Sequence, residues 1–562
     1  MEANPVRIVQ YFDGEKQSII PLFQRPYTWE KRNWETLWND LMAYYDSNDD
    51  STHFMGAVVS IPARTVPVGV TKHLIIDGQQ RLTTVAVLLC ALRDSVDEKR
   101  SAQIQDYLIN RHYEGDADFL KLLPTQGDRE AYCQLIKSEK IDKRPVNLMH
   151  EAYLFFSAAL KQNDDNDSPP DPNRVFDIVR RCLEVVMINL GEADDPYLIF
   201  ESLNFKGEPL SQADLVRNYI LMRFKHSLGS GGEQEKVYND LWRPLEQLLG
   251  DNIGDFLWHY ASRDGDNVKK PKIYASIKSK FAEFKTTENV MDEITEMRRN
   301  GGYYHRFLSP DQEPNPLIRK KLYALGKMEV SISYPLLLKI FRGYDKALYG
   351  ESTLANCLSI IESMILRRTI VDEKRAALNK LFVNIAAKYP DVNNPDEWLA
   401  TELVKRVRSE RWPEDDELLF TFSNKDLYGT KGIKLVLEGI EALIANKEVV
   451  DLSKASLTVE HIMPQTLTDE WKQSLGSNWA EIHKKYLHTS GNLTITAYNP
   501  ELSNSSFANK REIFANSGIA LNRMIAKEST WGIEQIENRS KYLAEETIKL
   551  WKRPKTSPSL GI

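Results

Sequence analysis

The segment Leu457-Thr-Val-Glu-His-Ile-Met-Pro-Gln465 predicts a short strand over 457–462 that carries a carboxylate and an imidazole and ends before a proline. Further along, His488-Thr-Ser-Gly-Asn-Leu-Thr494 predicts a turn that enters a second strand over 493–497. The residues from Asn499 to Lys510 then lead into a helix. The C-terminal part of the chain is therefore expected to contain two short strands, a loop and a helix.

The side chains on these elements suit a one-metal site for phosphodiester hydrolysis. A neutral histidine can take the proton from an attacking water molecule. A carboxylate and an asparagine carbonyl are hard oxygen ligands for Mg²⁺ or Mn²⁺, which can polarise the phosphate and stabilise the leaving oxygen. A single histidine or asparagine is more often a capping or core residue, so the order of three motifs is what favours this interpretation.

These motifs resemble the HNH (ββα-metal) nuclease superfamily, and more closely the branch at the C-terminus of GmrSD-type type IV restriction enzymes. That branch shows His-Ile-x-Pro-Gln, then His-x-x-Gly-Asn-Leu-Thr, then Asn-x-x-Leu-Ser-Asn-x-x-Phe-x-x-Lys. The chain has His461-Ile-Met-Pro-Gln465, the His488–Thr494 motif and Asn499-Pro-Glu-Leu-Ser-Asn-Ser-Ser-Phe-Ala-Asn-Lys510.

The resemblance implies roles for single residues, with His461 as the general base. The catalytic candidates are His461, Asn492, Asn499 and Lys510, and the metal-binding candidates are Glu460, Asn499 and Asn504. Asn492 would brace the loop, although it follows a glycine and could be a turn residue only. Asn504 and Lys510 would lie near the metal or the scissile phosphate. Many relatives have Asp where this chain has Glu460, whose longer side chain could still reach the ion.

Length and composition describe an ordinary globular chain. Its 562 residues predict two to four domains, with 42% hydrophobic and 27% charged residues. No stretch is apolar over the roughly 18 residues that a membrane span needs, and no secretion signal is apparent, so a cytoplasmic protein is expected. The net charge of −7 argues against indiscriminate coating of nucleic acid but not against a local basic groove. Cys90, Cys133, Cys182 and Cys357 are too scattered for a zinc site or a disulfide framework.

Periodicity predicts a mainly α fold with small α+β parts. Helices are expected over 34–45, 80–95, 209–226, 237–249 and 354–389, and strands over 55–61, 73–76, 457–462 and 493–497. Three parts follow: an N-terminal domain over 1–228, a helical middle over 229–445 and a C-terminal domain over 446–562. The middle carries no motif that indicates a chemistry, so it is interpreted as a spacer.

The segment Asp77-Gly-Gln-Gln-Arg-Leu-Thr-Thr84 joins the strand over 73–76 to the helix that follows. A helix N-terminus offers free backbone N–H groups and a positive dipole end, which suit a phosphate. Arg81 would add a planar cation and Thr83 or Thr84 a hydroxyl, while Gln24 and Arg25 could supply a second clamp. Arg81 could equally pair with an acidic neighbour. The chain has no G-x-x-x-x-G-K-[ST] sequence, so it is not a P-loop NTPase.

Three N-terminal motifs resemble the ParB-like domain that forms the GmrS half of GmrSD enzymes and also occurs in the phage-defence proteins BrxU and SspE. They are Ile20-Pro-Leu-Phe-Gln-Arg-Pro-Tyr-Thr-Trp29, the Asp77–Thr84 segment, and Phe200-Glu-Ser-Leu-Asn-Phe-Lys-Gly207 with Asp214-Leu-Val-Arg-Asn218. Relatives bind and hydrolyse nucleoside triphosphates through this domain. The implied nucleotide contacts are Gln24, Arg25, Asp77, Gln79, Gln80, Arg81 and Thr83. Glu201, Asn204 and Asp214 would hold Mg²⁺ or orient water, with Asn218 nearby; the alternative for Glu201 and Asp214 is helix capping and surface solvation.

An aromatic cluster lies in the first of these motifs and just after it, at Phe23, Tyr27, Trp29, Trp34 and Trp38. Aromatic rings can stack a nucleic-acid base. Trp34 and Trp38 are four residues apart on a helix, so core packing is the better interpretation for them. For Tyr27 and Trp29 both interpretations stay open.

Both ends together imply a type IV restriction endonuclease of HNH type, with a ParB-like N-terminal domain that controls the nuclease. Its expected cofactors are Mg²⁺ or Mn²⁺ and a nucleoside triphosphate such as GTP or ATP. Its expected partner is double-stranded phage DNA with modified bases or backbone; relatives suggest a homodimer, and no membrane is involved. The alternatives are a nucleotide-switched protein that binds or nicks modified DNA, and an RNA-cleaving, toxin-like HNH protein.

Overall fold

The computed structural model describes residues 2–22, 24–47, 51–62, 69–142, 147–163, 168–190, 210–224, 232–329, 331–390, 392–444, 457–497 and 502–554. The chain is mostly helical, with two small sheets. It divides into two units, one of Met1–Glu246 and Tyr274–Thr295, the other of Gln247–Ile273 and Glu296–Ile562. The mainly α prediction is confirmed. Among the described residues, none of the helices combines the length and the apolar character that a membrane span requires.

The first unit contains a mixed sheet in the order β1-β6-β3-β4-β2-β5. Its strands are β1 Glu2–Arg7, β2 Lys16–Ile19, β3 His53–Pro62, β4 Thr71–Asp77, β5 Leu122–Leu123 and β6 Leu183–Asn189. Strand β3 runs antiparallel to β4 and parallel to β6. The two strands predicted in this region correspond to β3 and β4, at the centre of the sheet, while the others were not predicted.

The Gln79–Arg93 helix is the central element of this unit and follows β4 after a single glycine. It is buried along nearly its whole length because apolar or small residues occupy most of its positions. Other helices of this unit are Lys31–Ser47, Glu98–Gln105, Gln126–Ile136, Leu148–Ala159, Pro172–Arg181 and Gln212–Met222. The predictions over 34–45 and 80–95 are therefore confirmed to within a few residues.

A long helical region follows, in which the predicted helix over 237–249 runs through a π-helical turn at Tyr238–Trp242. Its helices are Glu233–Val237, Arg243–Leu249, Ile253–Ser262, Ile273–Ala282, Thr287–Leu308, Pro316–Lys327, Tyr334–Asp345, Glu351–Ile370, Ala376–Lys388, Pro395–Val404, Asp415–Asn424 and Lys431–Ile444. The single helix predicted over 354–389 is wrong. Asp372 adopts a φ of 65° and ends the first of two helices, where no proline or glycine marks the break.

The second unit contains a two-stranded antiparallel sheet of β7 Thr458–His461 and β8 Leu493–Thr496, with His461 opposite Leu493. Its later helices are Asp469–Leu475, Trp479–Tyr486, Phe507–Ala515, Ala520–Ile525 and Ile533–Leu550. The two strands and the helix expected near the C-terminus are present. Within this unit Glu441 accepts hydrogen bonds from the backbone N–H groups of Ala520 and Leu521, and the domain bounds predicted from the sequence stay a prediction. The predicted boundaries at 228 and 445 themselves lie outside the described residues.

Candidate functional site

His461 ends strand β7 and lies buried among polar and aromatic side chains. Its Nε2 is 3.0 Å from Nδ1 of His488, and its Nδ1 is 3.4 Å from the amide nitrogen of Gln465. The ring of Tyr428 covers it, with 4.2 Å between ring centroids. The imidazole is therefore held on both nitrogens and on one face.

The electrostatics around His461 keep its ring neutral. Burial, together with the nearby His488, Lys510 and His483, lowers the pKa of His461 to about 4. At neutral pH the ring therefore carries one proton, and its other nitrogen is unprotonated. A buried neutral imidazole of this kind can accept a proton, which the predicted role of His461 requires.

Asn492 is fully buried and forms part of the loop that follows His488. Its carbonyl oxygen accepts from Met463 N at 2.7 Å and from the Trp531 indole at 3.1 Å. Its amide nitrogen donates to the carbonyl oxygens of Met463 and Leu487 at 2.9 and 2.8 Å. These four bonds use the full capacity of the amide, so bracing of the loop accounts for Asn492 completely.

Lys510 is fully buried, at 0% exposure, on the Phe507–Ala515 helix. Its ammonium donates to the His461 carbonyl oxygen at 2.9 Å and lies 3.4 Å from Oε1 of Glu460. Burial lowers the pKa of Lys510 and raises that of Glu460, and the ion pair opposes both shifts. Lys510 thus fastens the helix to β7, and Glu460 faces this ammonium rather than the His461 ring.

Of the three metal candidates, only Glu460 and Asn504 lie among the described residues. Asn499 lies outside them, Asn504 is exposed, and Glu460 is already neutralised by Lys510. In the part of the chain that the structure describes, no group of three or more His, Cys, Asp or Glu side chains could hold a metal ion. These donors alone do not fit a divalent ion, and the metal site stays a prediction.

Three residues around His461 had been given no role from sequence. His488 and Gln465 stand in the quoted motifs, so the motifs could have indicated them. Tyr428 comes from the middle of the chain, which showed no motif, and only the fold brings it to His461. Arg539, which also has no role predicted from the sequence, contacts the loop after His488: its Nη1 donates to the carbonyl oxygens of Gly491 and Leu493 at 2.9 and 2.6 Å.

The loop over 488–493 approaches the Ile533–Leu550 helix very closely at Gly491. A Cβ atom at this position would lie 2.0 Å from the Ile536 carbonyl oxygen. The Gly491 N–H also donates to Ser540 Oγ at 2.9 Å. Only glycine fits here, which gives the Gly-Asn pair of this motif a physical reason.

The second candidate region is the N-terminus of the Gln79–Arg93 helix. Gly78 is its N-cap residue, with a φ of 89°, and no side chain caps the first turn. A Cβ at Gly78 would lie 2.8 Å from Val58 Cγ2 and 3.0 Å from the Ala57 carbonyl oxygen. The Asp-Gly pair therefore permits a tight entry into a helix whose first N–H groups have no side-chain cap.

Two of the predicted nucleotide contacts, Gln24 and Gln79, are hydrogen-bonded to each other, and a third, Gln80, bonds the backbone of a neighbouring segment. Gln79 donates to Gln24 Oε1 at 3.1 Å, and Gln24 donates to the Ile76 carbonyl oxygen at 2.8 Å. Gln80 accepts from Thr28 N at 2.9 Å and donates to the Pro26 carbonyl oxygen at 3.1 Å. These glutamines hold the segment over 24–28 against the helix N-terminus.

Arg81 is half-buried, and its guanidinium lies against strand β3. Nη1 donates to the Ala57 carbonyl oxygen at 3.0 Å. A Cβ at Gly56 would lie 3.0 Å from the guanidinium carbon, so this glycine leaves room for Arg81. Burial raises the pKa of Asp77, and the charges of Arg81 and Arg25 oppose that shift. The half-buried Arg25 and the buried Thr83 complete the predicted set.

The predicted magnesium candidates of the first unit are only partly described. Glu201 and Asn204 lie outside the described residues. Asp214 forms a capping box with Ser211 at the start of the Gln212–Met222 helix and pairs with Arg217 at 2.7 Å. Helix capping therefore accounts for the contacts of Asp214, and Asn218 is buried.

The aromatic residues of the first unit pack in its core. Trp34 and Trp38 contact the rings of Phe155 and Phe156, with centroids 6.0 and 6.3 Å apart, so the packing interpretation is confirmed for both. Tyr27 is buried and accepts a hydrogen bond from the Trp34 indole at 2.8 Å. Trp29 is partly buried against the same core, and Phe23 lies outside the described residues.

Comparison with known families assigns both ends of the chain. Residues 8–221 match the N-terminal domain of the GmrSD restriction endonuclease, and residues 412–546 match the C-terminal domain of GmrSD restriction endonucleases. The protein is thus a restriction endonuclease, with DNA as its substrate. It belongs to the GmrSD-type type IV restriction endonucleases, and carries both halves in one chain. No curated protein matches it.

Proposed function

We propose that this restriction endonuclease cuts modified foreign DNA at His461, with a divalent metal and under control of a nucleoside triphosphate bound at the Asp77–Thr84 segment. The setting of His461 carries the proposal, since a buried neutral imidazole stands at the end of β7 among the three C-terminal motifs. The GmrSD membership supports a role in phage defence.

In the proposed reaction His461 is the general base. Its unprotonated ring nitrogen takes a proton from a water molecule whose oxygen bonds to phosphorus, while one ester oxygen leaves with the bonding electron pair and takes a proton from solvent. Such proton transfer contributes roughly a 10²- to 10⁴-fold rate increase. Asn492 and Lys510 act through the backbone, because they hold the loop over 488–493 and strand β7 in place.

The metal requirement is proposed from the family resemblance, since the described donors alone do not fit the ion. Mg²⁺ or Mn²⁺ would supply polarisation of the phosphate. Asn499 and Asn504 are the proposed ligands, and Glu460 would need to leave Lys510 to join them.

Nucleotide control is supported by the uncapped helix N-terminus behind Gly78 and by the cation of Arg81 beside it. Backbone N–H groups and a guanidinium together suit a phosphate group. Gln24, Gln79 and Gln80 would hold the surrounding loop in place. Hydrolysis of the nucleotide is part of the proposal, with Glu201, Asn204 and Asp214 as its magnesium candidates.

Cleavage assays test this proposal. Unmodified plasmid, phage DNA with glucosylated hydroxymethylcytosine, backbone-modified DNA and RNA are incubated with the protein, Mg²⁺ and nucleoside triphosphate. Double-strand cleavage of a modified DNA is expected, with loss of cleavage in EDTA and in His461→Ala. His112→Ala, which removes an exposed histidine of the first unit, is the control and should cut normally. Undiminished cutting by His461→Ala, or cleavage of RNA alone, would overturn the proposal.

A further inference from the structure

We infer that His488 is the positioning residue for His461, and that it fixes which nitrogen of the His461 ring accepts the proton. The inference rests on the proposed role of His461 as general base and extends it by one residue. His488 does not touch the scissile bond in this scheme. It acts through the hydrogen bond of 3.0 Å between its Nδ1 and Nε2 of His461.

The direction of this hydrogen bond follows from Gln465. The amide nitrogen of Gln465 lies 3.4 Å from Nδ1 of His461, and an amide nitrogen can only donate. Nδ1 of His461 is therefore the acceptor, so the single proton of the neutral ring is on Nε2. Nε2 then donates to His488, and the lone pair of Nδ1 becomes available to a water molecule when the exposed Gln465 side chain turns away from it.

His488 is itself held in place by its surroundings. Its carbonyl oxygen accepts a hydrogen bond from Leu427 N at 2.9 Å. Its ring stacks on Tyr428, with 5.4 Å between centroids and an interplanar angle of 16°. The loop that carries Leu427 and Tyr428 thus fixes both the backbone and the ring of His488.

The rings of His461 and His488 meet edge to face, at 5.1 Å and 66°. Tyr428 contacts both rings while 40% of its own surface stays exposed. With one face covered by Tyr428 and Nε2 bound to His488, rotation of the His461 ring would break both contacts. This arrangement sets the tautomer and the orientation that a general base needs.

The test uses His488→Asn and His488→Phe. Asparagine can place its Oδ1 near the position of Nδ1 and so keep an acceptor, whereas phenylalanine keeps the aromatic ring against Tyr428 and has no acceptor. We expect kcat for DNA cleavage to fall roughly 10- to 100-fold in His488→Phe, with KM unchanged within about 2-fold. His488→Asn should recover most of the lost kcat.

Three results would overturn the inference. They are a wild-type kcat in His488→Phe, an equal loss of kcat in both variants, and a loss that appears in KM alone. Apparent Tm values identify a variant that fails to fold. If His488→Phe fails to fold, His488→Asn is compared with wild type alone. A kcat near that of wild type then supports the inference, and a fall in kcat of about 10-fold or more contradicts it. Full activity of His461→Ala would instead contradict the proposed role of His461 as general base. Failure of that role and failure of the positioning role of His488 therefore give different results.

Discussion

The two candidate regions use their polar side chains differently. Around His461, the side chains of His488 and Gln465 bind the ring that is proposed to react. Around the Gln79–Arg93 helix, Gln24 and Gln80 bind the backbone of neighbouring segments instead. Motif residues in the first region are therefore expected to affect the reaction rate, whereas many in the second should affect stability first.

His461→Ala should have the largest effect. Loss of the general base is expected to slow DNA cleavage at least about 100-fold. The apparent Tm should change little in comparison, since the fixed backbone contact at His461 comes from its carbonyl oxygen and Lys510. Initial cleavage rates and thermal melts of the variant and of His112→Ala measure both. If unfolding explained the lost activity of His461→Ala, the proposed difference between the two regions would be contradicted.

Arg81→Ala should have the second-largest effect, a loss of affinity for the nucleoside triphosphate. A charge-assisted hydrogen bond is worth about 1.5–3 kcal/mol, so nucleotide affinity should fall roughly 10- to 100-fold. Titration with labelled nucleoside triphosphate measures this directly. Arg32→Ala, which removes an exposed arginine of the same unit, is the matched control and should bind normally. Equal affinities of the two variants would remove Arg81 from the nucleotide site.

Sequence patterns located the parts of both regions well, because the strands and helices concerned have strong local signals. The Asp-Gly turn before the Gln79–Arg93 helix and the strand that ends at His461 are where the pattern placed them. The contact of Tyr428 with His461 could not be predicted, since it joins an unmarked turn to a distant strand through the fold.

The roles of buried polar residues were also beyond sequence reasoning. Lys510 has the same charge whether it faces a phosphate or the His461 carbonyl oxygen, and only packing reveals its 0% exposure. Asp214 likewise suits a metal or a helix cap, and its contacts are those of a cap. Local pattern specifies residue type and spacing, whereas burial depends on the whole chain.

Gln80→Leu tests the structural half of the comparison. It leaves Thr28 N and the Pro26 carbonyl oxygen without their partner, at an expected cost of about 1–3 kcal/mol in the unfolding free energy. Gln465→Leu, at an exposed position, should stay within about 0.5 kcal/mol of wild type. Thermal melts of the two variants show which one loses more stability. An equal loss, or a larger loss in Gln465→Leu, would contradict the proposed difference between the two regions.

Trp34→Phe should have the smallest effect. It removes the indole N–H that donates to the Tyr27 hydroxyl at 2.8 Å, while Tyr27 keeps its 2.7 Å hydrogen bond with Thr84. A loss of about 1 kcal/mol in unfolding free energy is expected beyond that of Trp38→Phe, which tests the same ring change. Chemical denaturation compares the two, and a larger loss in Trp38→Phe would show that ring packing dominates.

We expect His461 to cut under the control of the Asp77–Thr84 segment, and one parallel assay tests this claim. Wild type, His461→Ala and Arg81→Ala are given modified DNA and Mg²⁺, with and without nucleoside triphosphate. The wild-type rate should change when nucleotide is added, His461→Ala should not cut in either case, and Arg81→Ala should cut at one rate in both. Normal cutting by His461→Ala, or an unaltered nucleotide response in Arg81→Ala, would contradict the claim.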